Sequence, residues 1–374
     1  MTSAPATSAA PDPGSRSWAD LISALLRRED LTAADAEWAM SGVMSGDASP
    51  VQLAGFLVAL RAKGESAAEV SGLVSAMLSH AASVDLAPGI GATVDTCGTG
   101  GDRSHTVNIS TMAAVVVAAA GAPVAKHGNR AASSAAGSAD VLEALGVAVD
   151  LPPAGVAEVL ERTGVTFFFA PVFHPGMRHA AVARRELGVA TVFNILGPLA
   201  NPARPAAQVV GCADLRLAPV MAQALLDRGT RALVVRGEDG LDELSTSAPT
   251  RIWDATGSWL VESVIDAADL GIARASVDAL RGQDAAFNAA VARAMLSGER
   301  SAALDPVRDA VLLGAAAALV AHGTVASGAG ASSSASLGDR LAAALPRAAE
   351  AVDSGAAGAL LTRWIDVSSA LAAR

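Results

Sequence analysis

Tyrosine is absent from this chain of 374 residues, and aromatic residues make up only 3% of it. Stacking platforms for bare nucleic-acid bases, which need aromatic faces, are therefore not expected. Charge is also sparse, at 17%, and leans acidic: 27 Lys and Arg stand against 37 Asp and Glu, for a formal charge of −10. That balance lacks the basic stripe of a general nucleic-acid binder. It leaves room for a small anionic ligand, because a few amides, cations or a metal reverse the field locally. The two cysteines, Cys97 and Cys212, form no CxxC pair. This excludes a disulfide scaffold and a zinc ribbon and fits a reducing compartment, the cytoplasm. Long apolar runs are missing too. Met112–Ala125 is broken by Gly121 and Pro123, and Ala310–Ala321 is short; neither reaches the ~18–20 residues that span a bilayer. Residues 1–16 carry no apolar stretch and read as a disordered tail, not a signal peptide.

What remains is rich in alanine and glycine and 52% hydrophobic, enough for a sizeable core and, at this length, for two domains. Trp18 to Ala82 reads as helical. Leu53, Phe56, Leu57 and Leu60 recur at i, i+3, i+4 and i+7, and Ser49-Pro50 marks a helix start. A helical domain over 17–85 follows. From Pro88 the pattern changes to strands alternating with helices: strands at Ala92–Asp95, Pro123–Ala125, Val165–Phe169, Gln208–Gly211 and Arg231–Arg236, and helices at about Ser110–Ala120, Asp140–Leu145 and Leu217–Arg228. Such alternation predicts an α/β domain over 86–374 with a mostly parallel central sheet. Ser327–Ser336, made only of Gly, Ala and Ser, reads as a flexible surface loop.

Four segments carry candidate chemistry. Gly98–Asp102 followed by Asn108-Ile109-Ser110-Thr111 places glycines ahead of a helix start, where amides can donate to an anion; alone it reads equally as a tight capped turn. Lys126-His127-Gly128-Asn129-Arg130 bunches polar groups at the end of an apolar strand, with Ser133, Ser134 and Ser138 beyond. Open α/β sheets bind ligands at such ends. Glu238, Asp239, Asp242 and Glu243 put four carboxylates in six residues, which is either a solvated turn or a site for Mg²⁺ with phosphate. Met177 and Arg184 are two helical turns apart, so Arg184 can present its fork to a carboxylate from a cleft-facing helix. Asn194–Pro202 is rigid and turn-rich enough to wall a pocket.

Taken in order, these segments resemble the anthranilate phosphoribosyltransferase family of tryptophan biosynthesis. The resemblance rests on Gly64-Glu65-Ser66, GTGGD at 98–102, NIST at 108–111, KHGNR at 126–130, GSADVLEALG at 137–146, HPGMRH at 174–179, RRELG at 184–188, FNILGPLANP at 193–202, DEL at 242–244 and RDAVLL at 308–313. It covers nearly the whole chain after the tail. The departures are mild: Ala200 where threonine is common, Gly314 where asparagine is common, and the 327–336 tract.

The resemblance implies a fold of the nucleoside phosphorylase/phosphoribosyltransferase type, with helices near 174–190 rejoining the helical domain, and a homodimer packed through that domain. It implies transfer of phosphoribose from 5-phosphoribosyl 1-diphosphate to the amine of anthranilate. Donor binding would fall to Gly98, Gly101, Asp102, Thr106, Asn108, Ile109, Ser110, Thr111, Lys126, His127, Gly128, Asn129, Arg130, Ala131, Ala132, Ser133, Ser134 and Ser138. Anthranilate would meet Gly98, Asn129 and Arg184, and Mg²⁺ would meet Ser110, Asp242 and Glu243. No acid or base is implied. A pyrimidine nucleoside phosphorylase, a transferase for another aromatic amine and a non-catalytic nucleotide-binding regulator are the alternatives at this level.

Overall fold

Helix starts in this chain are written locally. Thr32 with Asp35, Ser49 with Gln52 and Ser66 with Glu69 form reciprocal capping boxes, each satisfying two backbone donors that a helix end leaves open. They open α2 (Ala33–Ser45), α3 (Pro50–Lys63) and α4 (Ala67–Ser79), which with α1 (Trp18–Leu26) form a bundle. The computed structural model describes residues 16–131, 135–323 and 335–374. Ala132, Ser133 and Ser134, the tail up to residue 15 and most of the 327–336 tract lie outside the described residues.

Beyond the bundle come β1 (Val94–Gly98), α5 (Ile109–Ala119), β2 (Val124–Gly128), α6 (Ser138–Leu145), α7 (Pro153–Thr163), β3 (Val165–Phe169), α8 (Ala170–Phe173), α9 (Ala181–Leu187) and α10 (Phe193–Leu199). Then follow β4 (Ala207–Gly211), α11 (Ala218–Asp227), β5 (Arg231–Gly237), β6 (Thr250–Asp254), β7 (Val261–Ile265) and helices α12 (Ala285–Leu296), α13 (Asp305–His322), α14 (Leu337–Asp353) and α15 (Ala356–Ala372). One seven-stranded sheet runs in the order β3-β2-β1-β4-β5-β6-β7. The first five strands are parallel, and β6 and β7 join antiparallel. The sheet is thus mostly parallel, as expected. The antiparallel pair was not anticipated, because Thr250–Ile265 carries no glycine-separated strand and helix rhythm.

Two apolar cores flank the sheet. One lies under α5, α13 and α15 and takes Val94, Val124, Val165, Leu233 and Val235 from the strands. The other takes the alternate residues Val210, Val234 and Trp253 and continues through α11 into the bundle, as the period of two along a strand requires. Alanine dominates α13, and nearly all of that helix is buried; small side chains let it pack closely against α5. Segment 175–180, a 3₁₀ helix, packs on α2, and α9 packs on α3. No helix among the described residues is long and apolar enough to cross a membrane.

Strand order reverses between β1 and β4. Successive strands step outward from β1 in one direction and from β4 in the other. Crossover connections leave a crevice at the carboxyl ends of such a pair, which is where open α/β sheets bind ligands.

Candidate active site

β1 and β4 end in paired glycines, Gly98 and Gly211. Both are needed because the loop carrying Asp242 presses on them. A Cβ on Gly98 would stand 2.6 Å from Asp242 Oδ2, and one on Gly211 would overlap the Asp242 carbonyl. The chain leaves β1 through Gly100 and Gly101, at φ of +64° and +87°. There the Gly100 N–H donates to Asp242 Oδ2 at 2.7 Å. The acidic loop and the glycine turn, 142 residues apart, are thereby one wall.

A cleft of about 650 Å³ opens here. It brings together Gly98, Gly101, Asp102, Thr106, Asn108, Ile109, Ser110, Thr111, His127, Gly128, Asn129, Arg130, Ala131, Ser138, Arg184, Asp242 and Glu243. The amino end of α5 faces it. Asn108 does not cap that helix with its side chain. Its amide donates to Ala136 O at 3.1 Å and accepts from Asn288 Nδ2 at 3.0 Å instead. The Ile109 and Thr111 N–H groups donate to Val107 O at 2.7 Å and Asn108 O at 3.1 Å, and the Ser110 N–H serves Glu243, so the helix end offers an anion its partial positive charge and the Ser110 and Thr111 hydroxyls.

Lys126 is placed differently from its neighbours. It lies within β2, not in the loop after it, and is 1% exposed. Its ammonium donates to Thr96 O and lies 3.5 Å from Ser110 Oγ. It therefore sits beneath the cleft floor, where its charge opposes those of Asp95 and Glu243. Arg130 reaches away to Glu143 and Asp140 and stands 5.4 Å over the Phe169 ring. Asn129 Oδ1 accepts the Arg130 N–H at 2.8 Å, and its carbonyl accepts Ser138 Oγ–H at 3.3 Å. The second loop is thus tied to the start of α6.

Of the four carboxylates read together in the sequence, two turn away. Glu238 pairs with Arg251, and Asp239 accepts from Ser245 and Ser247. Asp242 and Glu243 stay in the cleft. Burial, then the neighbouring Asp102, pushes Asp242 up to about 7. Burial, then Asp242, pushes Glu243 up to about 8. Crowded carboxyl groups in a dry wall resist ionising together. A divalent cation would relieve that repulsion, and hard oxygens suit Mg²⁺. No group of three or more His, Cys, Asp or Glu among the described residues forms a ready cage. The donor set, Asp242 and Glu243 with Ser110 Oγ beside Lys126, fits a cation that brings phosphate oxygens of its own.

Arg184 comes from α9, which packs on α3 of the bundle. The expected continuous helix from Met177 does not form: 175–180 is a 3₁₀ turn and α9 begins at Ala181. Arg184 nevertheless lines the cleft, whereas Arg185 does not. Its guanidinium stands 5.1 Å over the Phe193 ring, and burial against the walls lowers its pKa. No carboxylate pairs with it among the described residues, so the fork is open to a ligand.

Other lining groups were not singled out as ligand contacts: Met77 at the end of α4, Arg103 and His105 in the turn, and Pro171 before α9. Arg103 and His105 have φ of +61° and +53°, which marks a turn shaped from outside its own sequence. His127 and His174 meet edge to face with ring centroids 5.4 Å apart. Burial, then His174, lowers His127 to about 3. It is a neutral imidazole, with Nδ1 donating to Gly197 O at 3.0 Å.

A helical bundle feeding a mostly parallel sheet, with an anion cleft at the strand-order reversal, defines the class. Residues 19–81 match the helical bundle domain of the glycosyl transferase family, and residues 91–358 match its a/b domain. Curated anthranilate phosphoribosyltransferases from Salinispora arenicola and Acidothermus cellulolyticus are 56% and 58% identical to it, over 96% and 95% of this chain and 98% and 96% of theirs. The crystal structure of anthranilate phosphoribosyltransferase from Thermus thermophilus superposes with a TM-score of 0.84 at 41% identity, covering 94% of this chain and 99% of that one. The Saccharomyces cerevisiae enzyme in complex with PRPP and Mg gives 0.82 at 26% identity, over 94% and 98%. The chain belongs to the anthranilate phosphoribosyltransferases, which are pentosyltransferase enzymes.

Proposed function

We propose that this chain transfers the 5-phosphoribosyl group of 5-phosphoribosyl 1-diphosphate to the amine of anthranilate, releasing diphosphate, in tryptophan biosynthesis. The observation that carries the reading is a single cleft lined by the glycine turn, the amino end of α5, the paired carboxylates Asp242 and Glu243 and Arg184, which no carboxylate engages among the described residues. A phosphorylase for nucleosides has no need of a fork aimed at a carboxylate.

The glycine turn and the amino end of α5, with the Ser110 and Thr111 hydroxyls, bind phosphate oxygens. Arg184 holds the acceptor carboxylate, and Asn129 and Gly98 border its amine. An aromatic amine is neutral at pH 7, so it needs no base to become a nucleophile. Catalysis then comes from alignment and from donors fixed where the diphosphate departs. Mg²⁺, held by Asp242, Glu243 and Ser110, would neutralise charge on the diphosphate when bound. Lys126 supports this wall from beneath, and Ser133 and Ser134 join the donor site by family resemblance.

The helical unit comprises 17–85 together with 174–190, and the donor-binding unit the rest of 86–374. The enzyme works as a cytoplasmic homodimer. Exposed Leu26, Val51, Val58, Val182 and Val189 on and beside α1, α3 and α9 offer the apolar face such a contact buries. The test is loss of anthranilate fluorescence with donor and Mg²⁺, beside phosphorolysis of thymidine. Consumption of thymidine without consumption of anthranilate overturns the reading.

A further inference from the structure

Gly64-Glu65-Ser66 closes the turn between α3 and α4, and nothing in the chemistry above uses Glu65. Its side chain is buried. Oε2 accepts from Arg216 Nη1 at 3.1 Å. Oε1 has no hydrogen-bond partner and lies 3.7 Å from Arg61 Nη1. Arg61 reaches Asp214 Oδ2 at 2.9 Å, and Arg216 Nη2 lies 3.9 Å from the same oxygen. Two carboxylates and two guanidiniums therefore alternate around a ring. Arg61 and Glu65 come from the bundle, and Asp214 and Arg216 from the loop between β4 and α11. Among the described residues no other ion pair joins 17–85 to residues 86–374.

That loop runs directly to the glycine turn. The Ala213 N–H donates to Thr99 Oγ1 at 3.3 Å, and the Thr99 N–H to Gly211 O at 2.9 Å. Arg236 Nε fixes the Ala213 carbonyl at 3.0 Å. On its other side the bundle carries α9, and with it Arg184, packed on α3. The ring thus stands between the wall that meets the acceptor and the turn that meets the donor. A hydrogen-bonded ion pair has a preferred register, and the buried Glu65 carboxylate is costly to strand without its partner.

We propose that Glu65 is a positioning residue that, through Arg216 and Asp214, sets the helical unit against the glycine turn, so that alignment of the two substrates depends on it while the binding of each does not. This rests on the proposed function.

The test uses the full-length enzyme with Glu65→Gln, Arg216→Gln and the double variant. Calorimetry gives Kd for the donor with Mg²⁺ and for anthranilate separately, and the fluorescence assay gives kcat. Expected are a fall in kcat of about tenfold or more, each Kd nearly unchanged, and a double variant no worse than the weaker single one. Arg216→Lys should recover part of the rate. Arg216 is half exposed, so its variant folds even where Glu65→Gln does not. An unchanged kcat, or a loss carried wholly by one Kd, overturns the proposal. If the parent transfers nothing, the function reading fails by itself. Hydrogen exchange at Ala213 and Thr99 then decides: faster exchange in Glu65→Gln supports the ring, and unchanged exchange refutes it.

Discussion

Replacing Arg184 by alanine separates recognition of the acceptor from everything else in the cleft. The guanidinium is already held over Phe193 and has no competing carboxylate, so little is reorganised when an anionic ligand arrives. A charge-assisted hydrogen-bonded contact of this kind contributes roughly 1.5–3 kcal/mol. At 1.4 kcal/mol per factor of ten, KM for anthranilate should rise about 10- to 150-fold. Donor affinity should be nearly unchanged, since the proposed phosphate contacts lie at the start of α5 and on the glycine turn. Arg185→Ala, outside the cleft lining, should do little. Aniline keeps the amine and lacks the carboxylate. It should be a poor substrate for the parent and lose little more in Arg184→Ala. Steady-state kinetics with both acceptors and both proteins form a cycle whose cross term is the arginine–carboxylate interaction. Equal penalties for aniline and anthranilate would refute the assignment, because the arginine would then be serving the helix and not the substrate.

Asp242→Asn with Glu243→Gln should remove the crowded charge in the donor wall and shift the Mg²⁺ titration of the rate strongly; an unaltered titration would mean that the metal is held elsewhere. Gly98→Ala should displace the Asp242 carboxylate, 2.6 Å from the new methyl position, and lower turnover while circular dichroism shows the fold retained. Lys126→Met leaves Asp95 and Glu243 without the buried cation that opposes them, and should cost about 3 kcal/mol in denaturant unfolding, a much larger effect than Arg185→Ala. His127 is held neutral down to about pH 3 in the fold, against 6.5 when unfolded. Its contribution is complete above pH 6.5 and is lost as pH falls toward 3, because only the unfolded chain takes up the proton, by up to roughly 5 kcal/mol. His127→Asn should flatten that acid limb in unfolding measured across pH.

Local chemistry in the sequence determined the helix starts, the strand and helix rhythm, and the segments that meet in the cleft. Capping boxes such as Ser66 with Glu69 act within one turn, and Gly100 and Gly101 supply positive φ wherever they fall, so both are legible without a partner. The resemblance carried by GTGGD, NIST and KHGNR then identified the family. Tertiary structure decided the rest, because burial and facing depend on contacts far along the chain. KHGNR reads as a loop, but Lys126 is drawn into β2 by register with Phe167 and becomes a counter-charge under the floor. Glu238 and Asp239 look the same as Asp242 and Glu243, and only Arg251, Ser245 and Ser247 sort the pairs apart. Arg184 faces the cleft although the helix invoked to aim it is broken at Ala181. Gly211 is a required glycine because Asp242 presses on it from 31 residues away. Each of these is a long-range steric or electrostatic contact, and a one-dimensional pattern holds no record of which distant residue supplies it.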